Sequence, residues 1–187
     1  HGYSNKLNPY LHLPVQSGSN KILKMMNRKY TVESYKAILE KIRKKCPDIA
    51  ISSDFIIGFP GETESDFKET IKLINDIEFA QAYSFKYSPR TGTSAARLEK
   101  FVPQKVSDER LYQLQALLAI QHKKYNSKFL NKEVEVFYKG KGKKEMQSRG
   151  TSKWMQVVNF KQTSELKEVM KVRIVEAYSN SLKGDLI

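Results

Sequence analysis

Apolar positions along the first two-thirds of the chain switch between two spacings. Leu11 to Val15 is a short apolar segment that ends in the turn-like cluster Gln16-Ser17-Gly18-Ser19. Thr31 is placed as an N-cap ahead of Val32, Tyr35, Ile38, Leu39 and Ile42, which fall on one helical face, and Pro47 closes that helix. Ile49 to Ile57 is rich in β-formers and apolar on both faces towards its end, as buried parallel strands are. Gly58 to Gly61 interrupts it. Thr63 and Asp66 form a capping-box pattern before Phe67, Ile71, Ile74 and Ile77, again at helical spacing. Ala82 to Tyr87 predicts a third strand, with Tyr83, Phe85 and Tyr87 alternating with polar residues. After a loop holding Pro89, Gly92 and Pro103, the pattern predicts that Ser107 caps a long helix striped by Leu111, Leu114, Leu118 and Tyr125, with Leu117 beside it.

Strand and helix in alternation specify an α/β unit on a parallel sheet. Three strands cannot close a barrel, so the expectation is the second half of a TIM-like barrel with a raw edge. From Ser127 the pattern changes to short strands, Glu133 to Tyr138, Trp154 to Phe160 and Val169 to Ala177, separated by charged and glycine-containing turns. That reads as a small all-β barrel. The expected division is therefore residues 1–126 and 127–187.

Composition narrows the chemistry. Of 187 residues, 33 are lysine or arginine against 20 acids, a formal charge of +13, which points to a polyanionic partner. Cys46 is the only cysteine. It allows no internal disulfide and no four-thiolate site, and it reads as a partly buried thiol at a helix end. His1, His12 and His122 share no metal-ligand spacing. No apolar run approaches the about 18 residues of a membrane span. A reducing cytoplasm fits such cysteine usage. Opening on His1-Gly2-Tyr3 without Met, the sequence is expected to begin inside a longer protein.

Ligands of open α/β sheets bind where strands end and loops converge. Three polar clusters fall at those ends. His12 to Ser19 offers an amide and hydroxyls. Ser53 to Thr63 offers a glycine-broken turn, which is also an ordinary way to join strand to helix. Tyr87 to Thr93 adds an aromatic, a hydroxyl and a guanidinium. Arg28 lies near enough in sequence to serve the same edge, where it would suit a carboxylate.

The segments Leu11 to Ser19, Met26 to Thr31, Asp54 to Thr63 and Tyr87 to Thr93 closely resemble the methylthiotransferase branch of radical S-adenosylmethionine enzymes. The tail from Ser127 resembles the TRAM domain that ends those enzymes, through Val157-Val158-Asn159-Phe160 and Ser179 to Leu186. The resemblance implies chemistry in which a reduced four-iron cluster cleaves S-adenosylmethionine to a radical that attacks a C–H bond. An auxiliary cluster supplies sulfur, and a second S-adenosylmethionine supplies methyl. It implies that Gln16, Ser17, Arg28, Asp54, Ile56 and Gly58 line the S-adenosylmethionine site. It implies as substrate a tRNA bearing isopentenylated adenosine beside the anticodon, converted to its 2-methylthio form. The family carries its cluster cysteines N-terminal to these segments, so the expectation is a fragment, split-gene product or decayed copy that does not turn over alone. A separate chain carrying the missing part is then an expected partner, and no membrane is. Where the TRAM pattern reads Gly-Arg-Thr, this chain has Ser148-Arg149-Gly150-Thr151, read as a loop.

Residues 127–187 hold 13 lysines and arginines against 7 acids. Lys139, Lys141, Lys143, Lys144, Arg149 and Lys153 concentrate the excess, with Tyr138, Trp154 and Phe160 between them. Cations that track phosphates and aromatics that stack on bases suit the anticodon stem-loop of a tRNA. Trp154 itself is expected in the barrel core. Two other readings stand beside this one. One is an RNA-binding protein whose half barrel is vestigial. The other is a sister enzyme acting on a ribosomal-protein aspartate or on threonylcarbamoyl-adenosine.

Overall fold

The computed structural model describes residues 7–98, 100–163 and 167–187; His1 lies outside them. A parallel sheet is built from β1 (Tyr10–His12), β2 (Ala50–Ile57) and β3 (Gln81–Lys86), in the order β1-β2-β3. The helices α1 (Asn20–Met25), α2 (Val32–Lys45) and α3 (Glu64–Ile77) fill the connections, and α4 (Gln104–Ser127) follows β3. Phe55 and Phe79 meet edge-on at the centre of one core, with Ile51, Ile57, Phe67, Ile74, Leu114 and Leu118 around them.

Capping follows the sequence. Thr31 caps α2 and Thr63 caps α3, the latter with Asp66 in a reciprocal box. Three expectations need correction. The pattern gave no helix at Asn20–Met25, because six residues are too few for a periodicity to register. The long helix starts at Gln104 behind Pro103, three residues before Ser107. Ser107 is buried within it, its N–H donating to the Pro103 carbonyl. Proline fixes φ ready for a helix start, and this outweighed the serine. Finally, the apolar segment at Leu11 to Val15 pairs as a strand only to His12. It then breaks at Pro14 and returns as a single bridge between Gln16 and Phe55.

The second unit is a closed five-stranded barrel, ordered β4-β5-β6-β8-β7. Its strands are β4 (Glu133–Lys141), β5 (Gln147–Ser152), β6 (Val157–Lys161), β7 (Val169–Ala177) and β8 (Leu182–Leu186). Val134, Val136, Val158, Phe160, Val172, Ile174 and Leu182 fill it. Ser148-Arg149-Gly150-Thr151, expected as a loop, is strand β5. A Cβ on Gly150 would lie 2.4 Å from Val136 Cγ1 and 2.5 Å from the Phe137 carbonyl, so glycine lets the neighbouring strand close in. Trp154 lies before β6, not in it. Its ring packs at 4.8 Å on Phe129 at the margin of the barrel core, and its Nε1 donates to the Asp48 carbonyl at 3.0 Å. The expected core tryptophan is thus a seam between the units, which its two-sided chemistry suits.

Candidate functional site

A cleft of about 780 Å³ opens at the carboxyl ends of β2 and β3. Gln16, Arg28, Asp54 and Ile56, four of the residues singled out above, line it together. Gln16 sits at φ +72°, its N–H donating to the Asp54 carbonyl and its own carbonyl accepting from Ile56 N–H, both at 2.9 Å. This short pairing clamps three lining residues in one frame. Behind it, Ser53 Oγ donates to the Leu13 carbonyl at 3.1 Å and accepts from Val15 N–H at 2.9 Å. The Tyr35 hydroxyl donates to the same carbonyl at 2.7 Å. His12 Nε2 stands 3.5 Å from Asp54 Oδ2.

Ser17 and Gly58 do not line the cleft. Ser17 Oγ accepts from Ser19 N–H at 3.1 Å and lies 3.5 Å from Thr70 Oγ1, buried in the wall. Gly58, at φ +74°, is where α4 crosses the strand end. A Cβ there would lie 2.4 Å from Ser107 Oγ.

The sequence reading passed over the residues that hold this wall. Glu62 Oε2 accepts the Gly58 N–H at 2.7 Å and pairs with Arg110 Nη1 at 3.1 Å, both side chains almost wholly buried. Burial pushes the Glu62 carboxyl up from its ordinary value, while the Gly58 N–H and the Arg110 guanidinium pull it back. Asp66 collects Ser19 Oγ at 2.7 Å, Lys21 Nζ at 2.6 Å and Thr63 Oγ1 at 2.6 Å. Burial acts to raise its carboxyl, but these hydrogen bonds outweigh it and hold the group well below the usual range. The first turn of α3 is therefore closed by its own cap and acids, which leaves it unsuited to an anionic ligand. Arg110 had a visible signal: with Ser107, Leu114 and Leu118 it falls on the buried face of α4.

The cleft fits S-adenosylmethionine. Its lining combines a carboxylate on Asp54, guanidiniums on Arg28 and Arg90, the Gln16 amide and apolar surface on Ile56 and Phe59. The Tyr87 hydroxyl in the same lining is shielded from solvent and makes no hydrogen bond. Such an unpaired buried group suits a polar ligand. An iron–sulfur cluster is not fitted by these residues. Cys46 lies at the end of α2, on the approach to β2 and away from the cleft at the strand's far end. Among the described residues no group of three His, Cys, Asp or Glu converges to hold a metal.

On the barrel, Lys143, Lys144 and Arg149 surround a second hollow, of about 340 Å³, with Asn159, Asn180 and Lys183. Lys183 was not among the expected residues. It enters because β8 lies parallel to β6 and carries it to Asn159. Lys139 and Lys141 are exposed on β4, outside this hollow. Lys153 is elsewhere. It rides 4.5 Å over the Trp154 ring at the seam.

Comparison with known proteins names the likeness. Residues 4–74 match the family model of the Radical SAM superfamily. Over 187 residues the chain is 49% identical to the tRNA-2-methylthio-N(6)-dimethylallyladenosine synthase of Erythrobacter litoralis, covering 100% of this chain and 42% of that protein. The enzyme of the same name from the Wolbachia of Culex pipiens is 49% identical over 98% of this chain and 42% of its own length. That of Ehrlichia chaffeensis is 44% identical over 100% and 43%. The chain thus spans about two-fifths of the curated relatives it matches. Along nearly its whole length the chain is thus similar to part of these tRNA-2-methylthio-N(6)-dimethylallyladenosine synthases, and residues 4–74 carry the likeness to the Radical SAM superfamily.

Proposed function

We propose that the chain works as part of a tRNA methylthiotransferase that converts N6-isopentenyladenosine beside the anticodon to its 2-methylthio derivative. In this reading residues 1–126 supply part of the S-adenosylmethionine cleft and residues 127–187 grip the anticodon stem-loop. The observation that carries it is one molecule joining a cleft framed by Gln16, Arg28, Asp54 and Ile56 to a cationic hollow framed by Lys143, Lys144 and Arg149. When bound, S-adenosylmethionine supplies the radical and the methyl group. The chain's own residues orient it: Arg28 is suited to its carboxylate, Asp54 to hydroxyls, and the Ile56 backbone to the adenine edge. The cluster ligands would come from a partner part of the enzyme, in the cytoplasm where its tRNA is found.

A non-catalytic RNA-binding role is the second reading, favoured by Cys46 being the sole thiol. The cationic hollow disfavours a sister enzyme that modifies a ribosomal-protein aspartate, which has no phosphates to be held.

The test is titration of the 187-residue chain with a labelled anticodon stem-loop across salt concentrations. Log affinity should fall with log salt. Lys143→Ala with Lys144→Ala should flatten the slope by roughly 1.4, at about 0.7 per phosphate released. Salt-insensitive binding would remove this reading. Equilibrium dialysis against S-adenosylmethionine, in the chain joined by a cysteine-bearing partner, separates the two readings. Binding that Arg28→Ala weakens supports the enzyme, and none supports the RNA-binding protein.

A further inference from the structure

The two sites are connected. Between them, on the free edge of β3, lies a groove of about 290 Å³. Phe85 lines both this groove and the cleft at the strand ends. Asn180, in the turn between β7 and β8, lines both this groove and the basic hollow. Neighbouring depressions therefore share a wall residue, Phe85 at one junction and Asn180 at the other.

The character of the path changes along it. At the barrel end are Lys143, Lys144, Arg149 and Lys183. Only Lys183 has a carboxylate partner among the described residues, Glu176 at 2.5 Å. In the middle, the outer edge of β3 is closed to another strand, since the Ala82 N–H donates to His122 Nε2 at 2.8 Å. Burial pushes the His122 imidazole down, in keeping with a neutral ring accepting at that nitrogen. At the cleft end Phe85 is 54% exposed and Tyr83 51%, on the same face of β3. Large aromatic rings left this open, on a path whose other end is a cationic hollow, are suited to stacking with unpaired bases.

We propose that this path is a track for a single-stranded stretch of RNA, with phosphates held at the basic hollow and the base next to the reacting one stacked on Phe85. The proposal rests on the RNA-binding reading above and deepens it. Phe85 would then select an unpaired, splayed loop over a duplex, whose bases offer no open face. Charge complementarity favours RNA as the occupant, given the +13 formal charge and the unpaired cations at one end.

The test uses the full chain and a stem-loop RNA carrying 2-aminopurine next to the target adenosine. Bound to the unaltered chain, the probe should be quenched by stacking. Phe85→Ala should relieve the quenching and weaken binding by about 10-fold, within the range for one base–aromatic stack, and leave the salt slope unchanged. Phe85→Trp should restore both. Lys143→Ala with Lys144→Ala should do the reverse, flattening the slope and keeping the quenching. Circular dichroism checks that each variant folds, as expected for an exposed position. Salt-dependent binding that Phe85→Ala leaves equally tight and equally quenched would overturn the track and spare the RNA-binding reading. Loss of all salt-dependent binding in the unaltered chain would overturn both.

Discussion

The sheet unit and the barrel deal with strand edges in different ways. In the barrel every strand has two neighbours, because β8 lies parallel to β6 and antiparallel to β7. Gly150 and Gly184 let adjacent strands approach where any Cβ would collide, and exposed and buried positions alternate over the first four residues of β4 and the first seven of β7. The sheet unit is buried on its helix side, yet it leaves Tyr83 and Phe85 exposed on β3 and gives β1 one strand neighbour among the described residues. Its free edge at β3 is covered by a side chain, His122, and touched by the barrel through Gln81 Nε2 and the Met155 carbonyl at 3.3 Å. The unit that closes on itself leaves its charged outer surface for ligands. The unit that does not close leaves its apolar face, and that face carries the cleft. The candidate cleft lies on the surface that the open sheet leaves uncovered.

The largest effect should come from the buried pair that ties α4 to the strand-end turn. Arg110→Ala strands the Glu62 carboxylate where only the Gly58 N–H still reaches it, a loss of about 3–5 kcal/mol for a broken buried pair. The cost should depend on pH. With Arg110 gone, the Glu62 pKa rises further above its unfolded value, so the penalty for ionisation is absent below about pH 4 and grows as pH rises. Chemical denaturation at pH 4.5 and pH 8 should give a larger loss at pH 8. Hydrogen exchange should localise that loss to the sheet unit and spare the barrel amides. Equal losses in both units would break the comparison.

A smaller effect is expected at Asp66, which ties Ser19 and Lys21 at the start of α1 to α3. Asp66→Asn should cost about 2 kcal/mol at neutral pH, since it weakens hydrogen bonds to a charged acceptor. Because the folded carboxyl is held below its ordinary value, its contribution is complete above the unfolded pKa of about 4 and declines as pH falls below that. The difference between unaltered chain and variant should therefore be flat from pH 8 to pH 5 and shrink by pH 3. A difference that grows on acidification would contradict the assignment.

The periodic elements were legible in the sequence because burial imposes the periodicity. β2, α2 and α3 fall within one or two residues of their patterns, and Thr31 and Thr63 cap as their spacing implies. What escaped was set by tertiary contact. β5 contains Ser148, Gly150 and Ser152 at its buried positions, small polar residues that carry no apolar alternation. Of the expected cleft residues, Gln16, Arg28, Asp54 and Ile56 converge. Ser17 and Gly58 shape the wall, because their motif holds backbone as well as ligand-facing groups. Lys183 could not be grouped with Lys143 before the β6–β8 pairing was known, and Lys153 could not be separated from it. Arg110 announces itself only as a charge on the buried face of α4, and Glu62, in the turn between β2 and α3, carries no such signal.

The smallest effect concerns the join between the two units. Trp154 is the only tryptophan, and it touches both: its ring lies on Phe129 and its Nε1–H reaches the Asp48 carbonyl. Trp154→Phe keeps an aromatic ring for the first contact and deletes the donor for the second. One partly solvated hydrogen bond contributes about 1 kcal/mol, so neither unit should unfold. What should change is coupling. In the unaltered chain, tryptophan fluorescence and far-ultraviolet circular dichroism should report one midpoint, because the seam is lost with the fold on either side. In Trp154→Phe, calorimetry should resolve two transitions, one for the sheet unit and one for the barrel. Two transitions already present in the unaltered chain would mean that the seam contributes no coupling. A single transition persisting in the variant would put the coupling elsewhere, in the Gln81 to Met155 contact or the Asn126 side chain, whose Nδ2 donates to the Tyr178 carbonyl at 2.7 Å and whose Oδ1 accepts from Gln156 at 2.8 Å. Asn126→Ala would then decide between them, since it removes both of those bonds and leaves Gln81 and Met155 untouched.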